Sequence, residues 1–264
     1  MTPVRAARSV RRWTVRPAAR LRLICLPHAG GGAASYRAWD ALLPSEVELV
    51  AVQYAGREDR WADRMTDRMD RLVPELAEDL LPLLDRPYAL FGHSMGSAVA
   101  WELAHTLTDL STAPRRLFAS GRQAPGTARP GTVHRQPSAA LAAELERLGG
   151  TPRDILADPD LLSAVLEYVR NDYRLIETYE PDLVARPPLA CPITVLAGEA
   201  DAECPLGAGD GTGGWSALTK GRTSVHTFPG GHFYLGPERS SVLATILRQL
   251  DPSLDLSTPW PSTP

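Results

Sequence analysis

Tyr88-Ala89-Leu90-Phe91-Gly92-His93-Ser94-Met95-Gly96, continued by Ser97-Ala98-Val99-Ala100-Trp101-Glu102-Leu103-Ala104-His105-Thr106-Leu107, decides how this chain folds. The short apolar run behind Pro87 suits a buried parallel strand. Ala98, Trp101, Leu103, Ala104 and Leu107 then recur at helical spacing. Between them stands Gly92-x-Ser94-x-Gly96, a turn that presents a serine hydroxyl at the end of a strand. Side chains two residues before and two after the serine would collide with the neighbouring strand and helix, which explains glycine at both places. The helix start brings backbone N–H groups and the positive end of a dipole to the same point. Three fixed positions recur by chance, so the pentapeptide alone also reads as an ordinary glycine-rich turn. A strand before it and a helix after it favour the nucleophile.

Outward from this turn the pattern alternates between strand and helix. Leu21 to Leu26 is predicted as the first core strand, and the chain ahead of it as a frayed, arginine-rich, acid-free N-terminus. Pro27-His28-Ala29-Gly30-Gly31-Gly32 follows that strand. It fits neither a phosphate loop nor a dinucleotide fingerprint. In a serine hydrolase this first loop supplies one N–H of the oxyanion hole, here that of Ala29. His28 is weighed as a catalytic base and, by preference, as a residue that shapes the loop. Tyr36 to Leu43 is predicted helical and Val47 to Tyr54 extended. The charges crowded between Arg57 and Arg71 read as a solvated face. Leu72, Leu76, Leu80 and Leu83 form a helical stripe, with regular helix expected from near Pro74.

Beyond the turn, Arg116 to Ser120 reads as a strand, and the Gly/Pro/Arg-rich segment 121–131 marks a boundary. From Pro137 to Pro181 the stripes are helical: Leu141, Leu145 and Leu148, then Leu161, Leu162, Val165, Leu166, Val169, Tyr173 and Ile176. Strand character returns at Pro192 to Gly198 and at Thr223 to Phe228, and Val242 to Leu250 closes the chain as a helix. The expected architecture is an α/β fold with a mostly parallel central sheet flanked by helices. Residues 1–125 and 186–252 form its core, 126–185 a helical lid and 253–264 a loose tail.

Composition excludes several classes. A net charge of -3 and a pI near 6.1 give no electrostatic footprint for nucleic acid. No apolar run is long enough to span a membrane, and the basic N-terminus lacks the apolar centre of a signal peptide, so a cytoplasmic protein is expected. All but one of the 28 Lys and Arg residues are arginine, which reads as a compositional habit rather than a binding surface. Cys25, Cys191 and Cys204 have no motif spacing and are expected as free thiols. Neither His-Glu-x-x-His nor Cys-x-x-Cys occurs, so no metal and no cofactor are expected.

A serine nucleophile needs a base, and the base needs an acid that holds its tautomer. In a fold of this kind they follow in the order Ser, Asp/Glu, His, on loops at strand C-termini. Ser94, then Asp201 three residues past Gly198, then His232 after Gly230-Gly231 supply that order. The competing acids are Glu199, Glu203 and Asp210. The competing histidines are His28, His93, His105, His134 and His226, none of which follows a late strand in a glycine turn.

Several segments together resemble the type II, or editing, thioesterases of polyketide and nonribosomal peptide synthases, stand-alone enzymes of the α/β-hydrolase fold. They are Pro27-His28-Ala29-Gly30-Gly31, Val52-Gln53-Tyr54-Ala55-Gly56-Arg57-Glu58, Phe91 to Gly96, Ser120-Gly121-Arg122-Gln123-Ala124-Pro125 and Gly230-Gly231-His232-Phe233. The resemblance extends from about Leu21 to Leu250. It implies that Ser94 attacks an acyl thioester on the phosphopantetheine arm of an acyl or peptidyl carrier protein, with His232 as base and Asp201 as its orienter. The N–H groups of Ala29 and Met95 would hold the oxyanion, and His28 and Phe233 would line the substrate. A monomer whose partner is the carrier protein is expected. Two features depart from the family: Ala55 stands where proline is usual, and the glycine-rich stretch 207–214 is long. An acyltransferase or carboxylesterase of the same fold, and a silent module that only docks carrier proteins, are the competing readings.

Overall fold

Burial at every residue of five adjacent strands sets the architecture. The computed structural model describes residues 8–127, 131–206 and 211–254. Its strands are β1 (Val10–Arg11), β2 (Leu21–Leu26), β3 (Val47–Val52), β4 (Tyr88–His93), β5 (Leu117–Ser120), β6 (Ile193–Gly198) and β7 (Thr223–Phe228). They form one sheet in the order β1-β3-β2-β4-β5-β6-β7. Every pairing is parallel except β1 with β3. β3, β2, β4, β5 and β6 are wholly buried, as parallel strands must be when helices cover both faces.

One face packs against α2 (Met69–Leu80) and α3 (Met95–Asp109), through Leu72, Leu76, Trp101 and Leu103 among others. The opposite face packs against α1 (Arg37–Asp40) and the terminal helix, through Trp39, Val242, Ile246 and Leu247. Between β5 and β6 the chain forms α4 (Ser138–Leu148), α5 (Arg153–Ala157) and α6 (Pro159–Glu177), and the terminal helix is α7 (Arg239–Leu250). Leu141 and Leu145 of α4 meet Leu166 and Val169 of α6 in a small cluster of their own. The C-terminal turn of α6 reaches the main core with Leu175 and Ile176. Local chemistry sets the ends of these helices. Gly149 closes α4 with a φ of +77°, and the Asp158 carboxylate accepts the Asp160 and Leu161 N–H groups at the start of α6.

The structure corrects four expectations. Residues 8–20 are not frayed. β1 pairs with β3 in the register Val10 to Val52 and Arg11 to Ala51, covering what would be an open sheet edge. The Arg16 guanidinium donates to the carbonyls of Leu43, Pro44 and Val47, and Arg22 is buried on Glu48. Residues 1–7 and 255–264 lie outside the described part. The charge run from Arg57 is not simply a solvated face, because Arg57 and Arg60 are buried and ion-paired, Arg60 to Asp63 and Glu75. α2 begins at Met69 rather than near Pro74, since Met69, Leu72 and Val73 bury the turn ahead of the proline. The helix expected from Tyr36 to Leu43 is shorter, a 3-10 turn over Ala33–Tyr36 followed by α1.

Candidate active site

β4 delivers Ser94 at its C-terminal end in a conformation that serine rarely adopts, φ +53° and ψ −118°. Such backbone costs about 1–3 kcal/mol and needs support from its surroundings. Here the Ser94 N–H donates to Ser120 O (2.8 Å) and the Ser94 carbonyl accepts the Ser97 N–H (3.0 Å). The Ser97 hydroxyl sits 2.7 Å from Gly92 O and 2.9 Å from Ser120 O, and accepts the Ser120 N–H at 3.1 Å. The glycines have the steric role read from sequence. A Cβ on Gly92 would lie 2.1 Å from Gly96 O, and one on Gly96 would lie 2.1 Å from Leu26 O. Both contacts are with backbone, which cannot swing aside. Gly96→Ala is therefore expected to cost about 3 kcal/mol or more, read as a lowered midpoint in denaturant unfolding. A midpoint within experimental error of the parent would refute this packing argument.

The acid and the histidine come from neighbouring loops that glycines bring together. A Cβ on Gly198 would meet Gly231 O at 2.3 Å and Gly230 O at 2.6 Å, so β6 and the turn after β7 touch at bare backbone. Ala200 N–H donates to Gly230 O (2.9 Å), which holds the two loops in register. His232 Nδ1 is then 2.9 Å from Asp201 Oδ2, with both residues buried. The other carboxylate oxygen, Oδ1, accepts the Glu203 N–H at 3.0 Å. Since the carboxylate only accepts, Nδ1 carries the proton and Nε2 is left as the basic nitrogen.

The competing residues are otherwise engaged. Glu199 is exposed, Glu203 pairs with Arg147, and Asp210 lies outside the described residues. His134 pairs with Glu177, His105 packs on Trp101, and His226 sits in β7 beside Gln249. His28 and His93 surround His232. The His93 ring is 5.0 Å from that of His232, and its Nδ1 meets Ser120 Oγ at 2.9 Å, which in turn meets the Tyr234 hydroxyl at 2.6 Å. Burial first, then His232 and Arg57, pushes the His28 imidazole down to about 3. Burial first, then His232 and His28, holds His93 well below the usual range. Both neighbours are thus neutral at physiological pH and place no further positive charge beside His232.

Ser94, Met95, Ala29, His28, His232 and Phe233 line one cavity of about 590 Å³, walled on the other side by Leu148, Tyr173, Ile176 and Glu177 of α4 and α6. The Phe233 ring packs edge-on against His28 at 4.7 Å and His232 at 5.1 Å. Among the described residues, the Ser94 hydroxyl and the N–H groups of Ala29 and Met95 make no hydrogen bond, so all three are free to meet a ligand. Met95 is the first residue of α3, where backbone N–H groups and the helix dipole favour negative charge. Arg122 also belongs to the wall. Burial draws its guanidinium down to about 10, and Nε has no partner among the described residues. The described residues hold no group of three metal-ligating side chains.

The sequence reading passed over Ser97, Ser120 and Tyr234, the polar frame behind the turn, and Arg57 with Asp172. Asp172 carried a signal. It falls three residues after Val169 and four before Ile176, an acid in the buried phase of a helical stripe, where an acid needs a partner.

Comparison with known proteins identifies the family. The family model described as the thioesterase domain matches residues 21–250. A protein of Streptomyces griseus described as "Probable cadicidin biosynthesis thioesterase" is 40% identical over 247 residues, covering 94% of this chain and 67% of the relative. The gramicidin S biosynthesis protein GrsT of Aneurinibacillus migulanus is 34% identical over 238 residues, covering 89% and 91%. Among solved structures, the type II thioesterase BorB from the borrelidin biosynthetic cluster superposes with a TM-score of 0.83 at 38% identity, covering 92% of this chain and 97% of that one. The chain belongs to the thioesterase family, and its sheet and helices are those of the α/β-hydrolase fold. Its reaction class is thioester hydrolysis, and thioesterases of solved structure from NRPS/PKS biosynthetic pathways are among its relatives.

Proposed function

We propose that this enzyme hydrolyses acyl groups from the phosphopantetheine arm of acyl or peptidyl carrier proteins by a Ser94–His232–Asp201 acyl-enzyme mechanism. The observation that carries the reading is the His232–Asp201 hydrogen bond opening onto the cavity that a strained Ser94 lines. His232 Nε2 takes the proton from Ser94 Oγ as the oxygen adds to the thioester carbonyl. The hydrogen bond between these groups forms when substrate seats. The Ala29 and Met95 N–H groups receive the oxyanion. As the C–S bond breaks, the imidazolium returns the proton to the departing pantetheine thiol. Water then repeats the cycle on the acyl-serine, releasing the acid and the free carrier arm.

No organic or metal cofactor enters this scheme. The carrier protein is the partner, a monomer suffices, and the reaction belongs in the cytoplasm, where such synthases meet their acyl donors. No helix among the described residues is long and apolar enough to cross a membrane. The test is intact-mass analysis of acyl-loaded carrier protein with the enzyme. Loss of the acyl mass, with recovery of free carrier and free acid, is expected. Cleavage of simple esters alone would make the protein a carboxylesterase, and transfer of the acyl group to an added thiol or amine without net hydrolysis would make it an acyltransferase.

The helical block from 126 to 185 is proposed as the lid that shapes the acyl chamber. Leu148 and Val133, both partly exposed, face the cavity without being part of the main core. Leu148→Ala is expected to raise kcat/KM for long acyl thioesters over short ones by up to about tenfold, and Leu148→Trp to reverse it. Fluorophosphonate labelling of Ser94 should keep its rate in both variants. A fixed chain-length preference would assign the chamber to the core loops.

A further inference from the structure

Asp172 of α6 and Arg57 of the loop after β3 form an ion pair with side chains only 4% and 3% exposed. The guanidinium reaches Asp172 with both terminal nitrogens, NH1 to Oδ2 and NH2 to Oδ1 at 2.7 Å. Arg57 also lies over the Tyr168 ring, 4.7 Å from its centre. A buried pair like this gains little stability over an apolar substitute, so what it touches is informative.

It touches the loop that carries Ala29. The Gly30 N–H donates to Asp172 Oδ2 at 2.8 Å, and Arg57 NH1 donates to Gly31 O at 3.0 Å. The Gly31 N–H donates to His28 O at 2.9 Å, closing a β-turn with Ala29 and Gly30 at its centre. Gly30 has a φ of +82°, the value for the third residue of a type II turn. Rotating the Ala29–Gly30 peptide over would give the type I alternative and turn the Gly30 N–H away from Asp172. A Cβ on Gly30 would lie 2.8 Å from Val169 Cγ2, so α6 also packs directly on the turn.

We propose that Asp172 and Arg57 are positioning residues for the oxyanion hole: seated α6 clamps the His28–Gly31 turn at the Gly30 N–H and the Gly31 carbonyl, and so fixes where the Ala29 N–H of that turn stands in the cavity wall. The inference rests on the proposed role of Ala29. Because α6 also walls the acyl chamber through Tyr173 and Ile176, the helix that touches the acyl chain is the one that sets the oxyanion donor.

Three variants test it: Asp172→Asn, Arg57→Lys, and the double replacement Arg57→Met with Asp172→Leu, which leaves no orphan charge. The substrate is a short neutral acyl-pantetheine thioester. The second probe is a trifluoromethyl ketone analogue, whose adduct with a serine places an oxyanion in the hole. Thermal melting identifies the variants that fold cooperatively. In folded Asp172→Asn and double variants, kcat is expected to fall about 10²-fold with KM within twofold of the parent. The Ki of the ketone should rise in step with the loss of kcat/KM, and Arg57→Lys should recover part of both. If Asp172→Asn does not fold, the same parallel is read in Arg57→Lys and the double variant. Folded variants with parental kcat, or with a raised KM and an unchanged Ki, would overturn the proposal. Failure of the serine mechanism itself is a separate result, because wild-type enzyme would then resist fluorophosphonate labelling.

Discussion

Ser94→Ala is expected to lower kcat by about 10⁶ while leaving the melting temperature within a degree or so of the parent. The first part follows from the removal of the atom that would form the acyl-enzyme in the proposed mechanism. Groups that act as a unit lose nearly the whole effect when the nucleophile goes. The second part follows from the local hydrogen bonds. The supports of the strained turn are the Ser94 N–H on Ser120 O, the Ser94 carbonyl on the Ser97 N–H, and the Ser97 hydroxyl. None of them uses Ser94 Oγ, and alanine can keep the same backbone at similar cost. Single-turnover release of acid from an acyl carrier, alongside a thermal melt, checks both. Activity within tenfold of the parent would remove Ser94 from the mechanism.

Asp201→Asn is expected to lower kcat by about 10⁴ with little change in KM, and the environment of this carboxylate says why. Oδ1 accepts the Glu203 N–H, so an asparagine must keep its carbonyl oxygen there or place two donors face to face. Its NH2 group is then left facing His232 Nδ1. A donor at that point forces the imidazole proton onto Nε2, the nitrogen that accepts from Ser94 in the proposed mechanism. Glu199→Gln and Glu203→Gln should stay within a few-fold of the parent, since Glu199 is exposed and Glu203 is held by Arg147 at the surface. Imidazole N–H resonances would report the tautomer directly. A loss in Glu203→Gln equal to that in Asp201→Asn would show that the acid has been misassigned.

Much of the frame was legible because it obeys local rules. Alternation of short apolar runs with helical stripes located six of the seven strands. Glycines at 92 and 96 have one steric explanation, and both predicted collisions are present with Leu26, Gly96 and their neighbours. β1 was missed because two residues that cover a sheet edge need no apolar pattern of their own. Arg57 and Arg60 were read as solvated because a run of charges carries no mark of burial until a carboxylate from elsewhere meets it.

By itself the sequence determined the strand-turn-helix around Ser94, the parallel sheet, and the order in which serine, acid and histidine arrive, since each depends on neighbours within a few residues. Only the tertiary structure decided which acid meets His232, that His28 and His93 are held neutral around it, and that Asp172 grips the turn carrying Ala29. Those outcomes depend on distance, burial and hydrogen-bond direction between segments far apart in the chain, as with Gly30 and Asp172 at a separation of 142 residues, and no local spacing encodes them.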